Sequence, residues 1–133
     1  MEALRIEFPS VMENIRMVES FIDNAKEKFQ ISDDVYGNIM VAVTESVNNA
    51  IVHGNHNDIN KNVSLVLTMN NNVLKCLVED EGNGFDYENL PDPTAPENLN
   101  KVGGRGVFLI KNLSDGVAFL DGGKKIEMTF NIN

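Results

Sequence analysis

Apolar and charged residues alternate from Leu4 to Phe8, which is the period of a half-buried β-strand, and Pro9 is expected to end it. After Ser10 the apolar spacing changes to three and four residues, which predicts an amphipathic α-helix. Ser10 and Glu13 have the spacing of a capping box, so the helix is predicted to begin at Ser10. Its apolar stripe is formed by Val11, Ile15, Val18, Ile22, Ala25 and Phe29.

A second helix is predicted to begin after the polar segment 32–34, because apolar residues again recur at helical spacing, and Gly54 is expected to end it. Segments 63–69 and 73–78 then have the apolar pattern of two strands. The asparagines at 70–72 predict a hairpin turn between them. The apolar stripe of the second helix is formed by Val35, Ile39, Ala42, Val43, Val47 and Ala50.

The chain changes character between Glu81 and Gly106, where glycine and proline are frequent and apolar periodicity is lost, which predicts a long irregular segment. Long loops inside compact domains usually carry function. A short helix is predicted from Val107 to Leu113, followed by a second hairpin with strands at 117–120 and 126–132. This order predicts an α+β fold, a two-layer sandwich with the helices on one face of a mixed, mostly antiparallel sheet.

Composition restricts the classes of function. The 133 residues, 42% of them apolar, suffice for one core, so we expect a single domain spanning residues 1–133. Twenty acidic residues against 11 basic ones give a net charge of -9, which disfavours direct binding to nucleic acid or to acidic membranes. Cys76 is the only cysteine, no signal peptide is visible, and no apolar run approaches the ~20 residues that span a bilayer. A cytoplasmic location is therefore expected.

A polar row lies on the second predicted helix. Glu45 and Asn49 are four residues apart and therefore lie on the same side of the helix, and His53 continues the row. This row borders the apolar stripe, so its side chains are expected at the edge of the core. The ordinary structural explanation is a polar flank with a histidine near the helix end, and taken alone the motif does not exclude it.

A second motif follows the apolar strand at 73–78. Asp80 leaves the sheet there, and Gly82 and Gly84 allow the backbone to turn sharply or to lie against a flat ligand. A carboxylate in this place could accept a hydrogen bond from an exocyclic amine. A simple glycine-rich turn explains the same residues, whereas a calcium loop is disfavoured because its ligand spacing is absent.

A third motif, Gly103 to Gly106, stands directly before the short helix. Backbone amides at the start of a helix can face a phosphate, and Arg105 and Lys101 add positive charge. The pattern of a P-loop is missing, and a dinucleotide-binding loop would need to follow a strand within a βαβ unit. A plain loop at the entry to a helix is the structural alternative.

Together and in this order, the three motifs resemble the GHKL family of ATP-binding proteins. The N box and the two glycine boxes of that family match segments 45–50, 80–84 and 103–106, and the resemblance covers nearly the whole chain. Within the family the chain is most similar to the bacterial anti-sigma factor serine/threonine kinases, through segments 43–54, 91–99 and 103–110. The resemblance implies the Bergerat-type ATP-binding fold, with ATP and a magnesium ion as cofactors.

The resemblance also implies roles for individual residues. Glu45 would be the general base, Asn49 a magnesium ligand, and Asp80 the acceptor for the adenine amino group. The segment from about Phe85 to Lys101 would cover the phosphates, and either Lys101 or Arg105 would neutralise the transferred charge. The nucleotide-binding set is Asn49, Asp80, Gly82, Gly84, Lys101, Gly103, Gly104, Arg105, Gly106 and Val107. Relatives commonly carry Gly-Thr where this chain has Gly123 and Lys124, and Thr129 is a candidate substitute for that threonine.

By this resemblance the chain is a protein serine/threonine kinase that acts as an anti-sigma factor and phosphorylates an anti-sigma-factor antagonist on serine. Its partners would be a sigma factor and that antagonist. Relatives suggest a homodimer that uses the first strand, with Leu4, Ile6 and Phe8. The alternative is a nucleotide-dependent module that sequesters a partner without phosphoryl transfer. Glu45 favours the kinase, because a binding module needs no base beside the γ-phosphate.

Overall fold

The computed structural model describes residues 2–82 and 104–132. Its helices in these ranges are α1 (Ile15–Phe29), α2 (Asp33–Asn49) and α3 (Gly104–Leu113). Its strands are β1 (Glu2–Pro9), β2 (Asn62–Asn70), β3 (Val73–Glu79), β4 (Gly116–Leu120) and β5 (Lys125–Asn131). Short 3-10 turns lie at Met12–Asn14 and Asp121–Gly123, and a π-helical turn, Ala50–Gly54, extends α2.

The five strands form one sheet in the order β1-β2-β3-β5-β4, and every pairing between them is antiparallel. The chain turns from β2 to β3 through Asn71 and Asn72, which both have positive φ, of 52° and 65°. Asparagine tolerates this conformation better than most residues, and the tight hairpin at 70–72 is confirmed. The predicted α+β sandwich is confirmed as well, with an antiparallel sheet.

The core lies between the helices and one face of the sheet. Because side chains alternate along a strand, Leu67, Cys76 and Met128 are neighbours in register on the same face, and all three are fully buried. Predicted stripe residues of the helices cover them and are buried too: Val18, Ile22 and Ala25 on α1, and Ile39, Ala42, Val43 and Val47 on α2. The intervening strand residues, such as Lys75 and Glu127, belong to the opposite face.

The predicted helix start at Ser10 is wrong. Ser10 is 1% exposed, and its hydroxyl donates a hydrogen bond of 2.6 Å to the carbonyl oxygen of Lys61, before β2. Its backbone N–H donates to the same oxygen at 3.1 Å. The hydroxyl is therefore committed to a distant segment and does not cap a helix. Val11 is extended, and α1 begins only at Ile15.

The three apolar residues of β1 face the helix layer. Phe8 is 1% exposed in the core, and Leu4 and Ile6 pack against it. A homodimer contact through these three side chains would compete with the helices, so a dimer along β1 would have to use the other face of the strand or its outer edge, which pairs with no other strand among the described residues. The homodimer itself stays a prediction.

Candidate functional site

Two of the three sequence motifs meet where α3 approaches α2. Glu45 and Asn49 lie one turn apart near the end of α2, and Gly106 lies in the first turn of α3. A Cβ built on Gly106 would lie 3.1 Å from Oε2 of Glu45 and 3.2 Å from Nδ2 of Asn49. Real Cβ contacts are seldom this tight, so the missing side chain allows the start of α3 to approach both polar groups.

Apolar packing fixes this approach. Val107 and Ile110 of α3 are 3% and 0% exposed, and Val43 and Val47 of α2 are fully buried. The two helices pack against each other, and Ile110 belongs to the same buried core as Val43 and Val47. Burial contributes roughly 1.5–3 kcal/mol for each fully buried apolar side chain. The first turn of α3 is thereby fixed against the polar row of α2.

Asn49 has an unusual environment for an amide. It is 3% exposed, and its Nδ2 is buried without a hydrogen-bond partner among the described residues. Leaving a buried polar group unpaired costs about 1–3 kcal/mol, so such groups often have a functional explanation. A half-turn of the amide exchanges its nitrogen and oxygen, so an oxygen ligand can face the same space. This arrangement fits a hard cation such as magnesium, which prefers oxygen ligands.

The π-helical turn at the end of α2 leads from Asn49 to the second part of the site. In it the N–H of Asn55 donates to the carbonyl oxygen of Ala50 at 2.8 Å, a spacing of five residues. Turns of this type are rare and occur frequently at functional sites. His53 lies within it, and its Nε2 is a further buried atom that lacks a hydrogen-bond partner in the described part of the chain.

Asp80 follows β3 and is 6% exposed. Its N–H donates to the carbonyl oxygen of Lys124 at 2.9 Å, and its Oδ1 accepts the N–H of Gly82 at 2.8 Å. Burial raises the pKa of Asp80 above its usual value of 3.8, although the Gly82 hydrogen bond and the charge of Lys124 oppose this change. The carboxylate is thus partly desolvated while one of its oxygens is already held.

Gly54, Asp80 and Gly82 are in close contact. A Cβ on Gly54 would lie 2.5 Å from Cγ of Asp80, and a Cβ on Gly82 would lie 2.6 Å from the carbonyl carbon of Gly54. A side chain at Gly54 would displace the Asp80 carboxyl group, and a side chain at Gly82 would displace the backbone of Gly54. The end of the π-helical turn and the turn after β3 therefore form one compact unit around the carboxylate.

The two clusters lie along one line of the fold. Asn49 and Gly54 are five residues apart on α2 and its π-helical extension, roughly 7 Å at the rise of a helix. One cluster offers a carboxylate, an amide and a helix amino terminus, and the other offers a buried carboxylate acceptor. An elongated ligand with an anionic end and a hydrogen-bond-donating end matches this distribution.

The structure brings together five of the predicted site residues. Glu45, Asn49 and Gly106 form one cluster, and Asp80 and Gly82 belong to the other. Val107 is buried, which leaves its backbone as the group that a ligand could meet. Gly104 and Arg105 begin α3, and the Arg105 side chain lies outside the described atoms. Gly84, Lys101, Gly103 and the predicted cover over the phosphates at 85–101 lie outside the described residues.

Two residues of the last hairpin differ from the expectation. Thr129 pairs with Lys75 and Gly116 on the sheet face opposite the helices, so it cannot replace the threonine of relatives beside Asp80. Lys124, in contrast, holds the main chain of Asp80 through its carbonyl oxygen.

Sequence reasoning missed Asn55. This residue is 1% exposed, and its side chain joins three other segments by hydrogen bonds. Its place directly after the glycine that ends the helix was the available signal, because polar residues there often satisfy free backbone groups.

Comparison with known proteins adds a family and a fold. The profile of the family described as "Histidine kinase-like ATPase domain" matches residues 8–130. Proteins named serine-protein kinase RsbW, from Bacillus cereus, Bacillus anthracis and Bacillus thuringiensis, are each 23% identical over 135 aligned residues. Each alignment covers 96% of this chain and 84% of the relative.

A solved structure has the same fold. It contains the RsbU and RsbW domains of Rv1364c from Mycobacterium tuberculosis and matches with a TM-score of 0.73 and 15% identity. The match covers 99% of this chain but 32% of the other chain, so this chain spans about a third of that protein's length. Across residues 2–82 and 104–132, no helix has the length and apolar character needed to cross a membrane.

Proposed function

The chain belongs to the histidine kinase-like ATPase domain family, and on that premise we propose that it is an ATP-dependent protein serine/threonine kinase. Membership of this family implies ATP binding. The observation that carries the proposal further is the approach of Gly106 to both Glu45 and Asn49. It joins the Glu45 carboxylate, the Asn49 amide, whose buried Nδ2 lacks a hydrogen-bond partner within residues 2–82 and 104–132, and the start of a helix. A proton acceptor, a cation ligand and phosphate-facing amides are groups that phosphoryl transfer uses.

The residues that bind the nucleotide are proposed from the two clusters. Asp80 accepts a hydrogen bond from the adenine amino group, and its close packing against Gly54 leaves the base to lie beside Gly82. The backbone N–H groups at the start of α3, with that of Gly106 among them, are proposed to face the phosphates, because the first N–H groups of a helix have no partner within it. Val107 belongs to the proposed binding set through the family resemblance. Gly84, Gly103 and Gly104 extend the same two binding segments, as the family resemblance implies.

A magnesium ion completes the proposed site. Asn49 would be its protein ligand through the side-chain oxygen, and the support for this role is that the buried Nδ2 of the amide has no hydrogen-bond partner among the described residues, so the amide can turn its oxygen to that side. When bound, the ion supplies charge neutralisation at the phosphate oxygens. Lys101 or Arg105 supplies further positive charge to the transferred group.

Glu45 is proposed as the general base. Its half-buried carboxylate lies beside Gly106 and therefore next to the phosphate-binding amides. It takes the proton of the acceptor serine hydroxyl while the serine oxygen bonds to the γ-phosphorus. The bond between that phosphorus and the β–γ bridging oxygen breaks at the same time, so the products are phosphoserine and ADP.

The proposed partners follow from the same resemblance. The chain acts as an anti-sigma factor that holds a sigma factor inactive, and its substrate is an anti-sigma-factor antagonist phosphorylated on serine. We propose that this occurs in the cytoplasm, without direct contact with nucleic acid. The net charge of -9 agrees with that last point.

The test is phosphoryl transfer from labelled ATP, with magnesium, to candidate antagonist proteins from the same genome, followed by mapping of the phosphoserine. Glu45→Gln removes the proton acceptor and keeps the size of the side chain. General base catalysis contributes about 10²- to 10⁴-fold, so transfer should fall by at least about 100-fold while ATP affinity stays within about threefold. Glu19→Gln, at an exposed position on α1, is the matched control and should transfer at the normal rate.

Transfer by Glu45→Gln at the normal rate would contradict the role of the base. ATP binding without transfer to any antagonist would instead support the alternative function, a nucleotide-dependent module that sequesters its partner.

A further inference from the structure

The Asn55 side chain joins the end of α2 to three other segments. Its Nδ2 donates to the hydroxyl oxygen of Ser10 at 2.8 Å and to the carbonyl oxygen of Asn62 at 3.1 Å. Its Oδ1 accepts the backbone N–H of Glu81 at 2.8 Å. Both N–H groups and the oxygen of the amide are therefore engaged, and these partners allow only one orientation of the amide.

The hydrogen bond to Glu81 lies next to the proposed adenine acceptor. Glu81 directly follows Asp80, so Asn55 holds the main chain on the carboxyl side of Asp80. The carbonyl of Lys124 holds the N–H of Asp80 on the other side. Because the backbone is hydrogen-bonded on both sides of Asp80, the position of its Cα is fixed and the directions open to its side chain are restricted.

A second contact of the same turn adds to this restraint. Oε1 of Glu81 accepts the N–H of Asn62, the residue whose carbonyl oxygen accepts from Asn55. Gly54, immediately before Asn55, packs against the Asp80 carboxylate. Two consecutive residues therefore restrain Asp80: Gly54 packs against its carboxylate, and Asn55 accepts the hydrogen bond from the next residue, Glu81.

We propose that Asn55 is a positioning residue for adenine recognition: its Oδ1 holds the turn after β3 so that the Asp80 carboxylate meets the exocyclic amine of the base. This inference rests on the proposed function, because it assigns Asn55 to the same nucleotide site. Asn55 does not touch the nucleotide. Asn55 determines the relative affinity of the site for different purines, since only a correctly placed carboxylate distinguishes an amine from a carbonyl group on the ring.

Ser10 offers a matched control in the same hydrogen-bond network. Ser10→Ala removes one acceptor of Asn55 and the bond to Lys61, but it leaves the bond from Glu81 to Asn55 intact. Asn55→Ala removes all three bonds. If Asn55 contributes only to stability, both variants should lower the affinity for every nucleotide by the same factor. If Asn55 positions Asp80, only Asn55→Ala should lose the selectivity between purines.

The experiment measures ADP and IDP affinity by isothermal titration calorimetry with magnesium at pH 7.5, together with melting temperature. IDP carries a carbonyl group where ADP carries the amine. We expect the unmodified chain and Ser10→Ala to prefer ADP by the same factor within about threefold. In Asn55→Ala, ADP affinity should fall about tenfold or more and IDP affinity by less than about threefold, a selective loss of one hydrogen-bonded contact.

Unchanged selectivity in Asn55→Ala would overturn the inference while leaving the proposed ATP site intact. A second variant covers the case in which Asn55→Ala does not fold. Asn55→Asp keeps an oxygen for the N–H of Glu81 and loses both donated bonds, so it should melt earlier yet retain the preference for ADP. Loss of that preference in Asn55→Asp would also overturn the inference. Absence of ADP binding, or of ADP preference, in the unmodified chain would contradict the proposed site itself.

Discussion

Gly54→Ala tests the contact that forms the proposed adenine end of the site. The added methyl group would lie 2.5 Å from Cγ of Asp80, whereas ordinary contacts begin near 3.4 Å. The carboxyl group would therefore have to move by about 1 Å, although the N–H groups of Asp80 and Gly82 are both hydrogen-bonded in this unit. Overpacking of this kind costs about 1–3 kcal/mol.

Gly37→Ala is the matched control on the same helix. Gly37 lies inside α2 and is exposed, and apart from its chain neighbours and the backbone of its own helix no described atom lies within 4 Å of a Cβ built on it. Replacing glycine by alanine in such a place stabilises a helix by about 0.5–1 kcal/mol. The two substitutions add the same group, so their difference isolates the contact of Gly54 with Asp80.

Urea unfolding and titration with ADP are the assays. We expect Gly54→Ala to lower the free energy of unfolding by about 1–3 kcal/mol and to weaken ADP binding by at least tenfold. Gly37→Ala should raise the free energy of unfolding and leave ADP affinity unchanged. A Gly54→Ala chain with normal stability and normal ADP affinity would refute the structural account of this contact.

Two further substitutions test the two clusters separately. Gly106→Ala places a methyl group 3.1 Å from Glu45 Oε2, so ADP affinity should fall about tenfold. The helix-forming preference of alanine should keep the free energy of unfolding in urea within about 1 kcal/mol of the unmodified chain. Unchanged ADP affinity would show that the nucleotide does not use the space beside Gly106. For Asp80, the pKa is raised in the folded state, so the native chain binds the proton more tightly than the unfolded chain, and stability falls as pH rises through the interval above 3.8. Asp80→Asn should therefore be at least as stable as the unmodified chain at pH 7.5 and should lose that relative advantage at pH 3. It should also lose the preference for ADP over IDP. Thermal melts that show lower stability of Asp80→Asn at pH 7.5 would contradict the burial argument.

Structural features that depend on local or periodic patterns could be predicted from the sequence. The stripes of α1 and α2 were predictable because buried residues recur at the helical period, as Val18, Ile22 and Val47 show. Glu45 and Asn49 were placed on one side of α2 by their spacing alone. That these two residues and Gly106 belong to one site was predicted only from the order of the three motifs along the chain.

Long-range hydrogen bonds account for what sequence reasoning missed. Ser10 has the local signature of a helix cap, but its hydroxyl bonds to Lys61, 51 residues away. The partners of Asn55 lie 45, 7 and 26 residues away, so no local pattern predicts them. The contact of Gly54 with Asp80 depends likewise on how the end of α2 meets β3, which the chain order does not specify.

One magnesium nucleotide is proposed to bind along α2, with Asn49 at its phosphate end. Isothermal titration calorimetry with ATP, performed with magnesium and again with excess EDTA, tests it most directly. We predict one site per chain, with affinity at least tenfold higher in magnesium, and an Asn49→Ala chain that has lost this difference. Equal ATP affinity with and without magnesium in the unmodified chain, or no binding at all, would contradict the account.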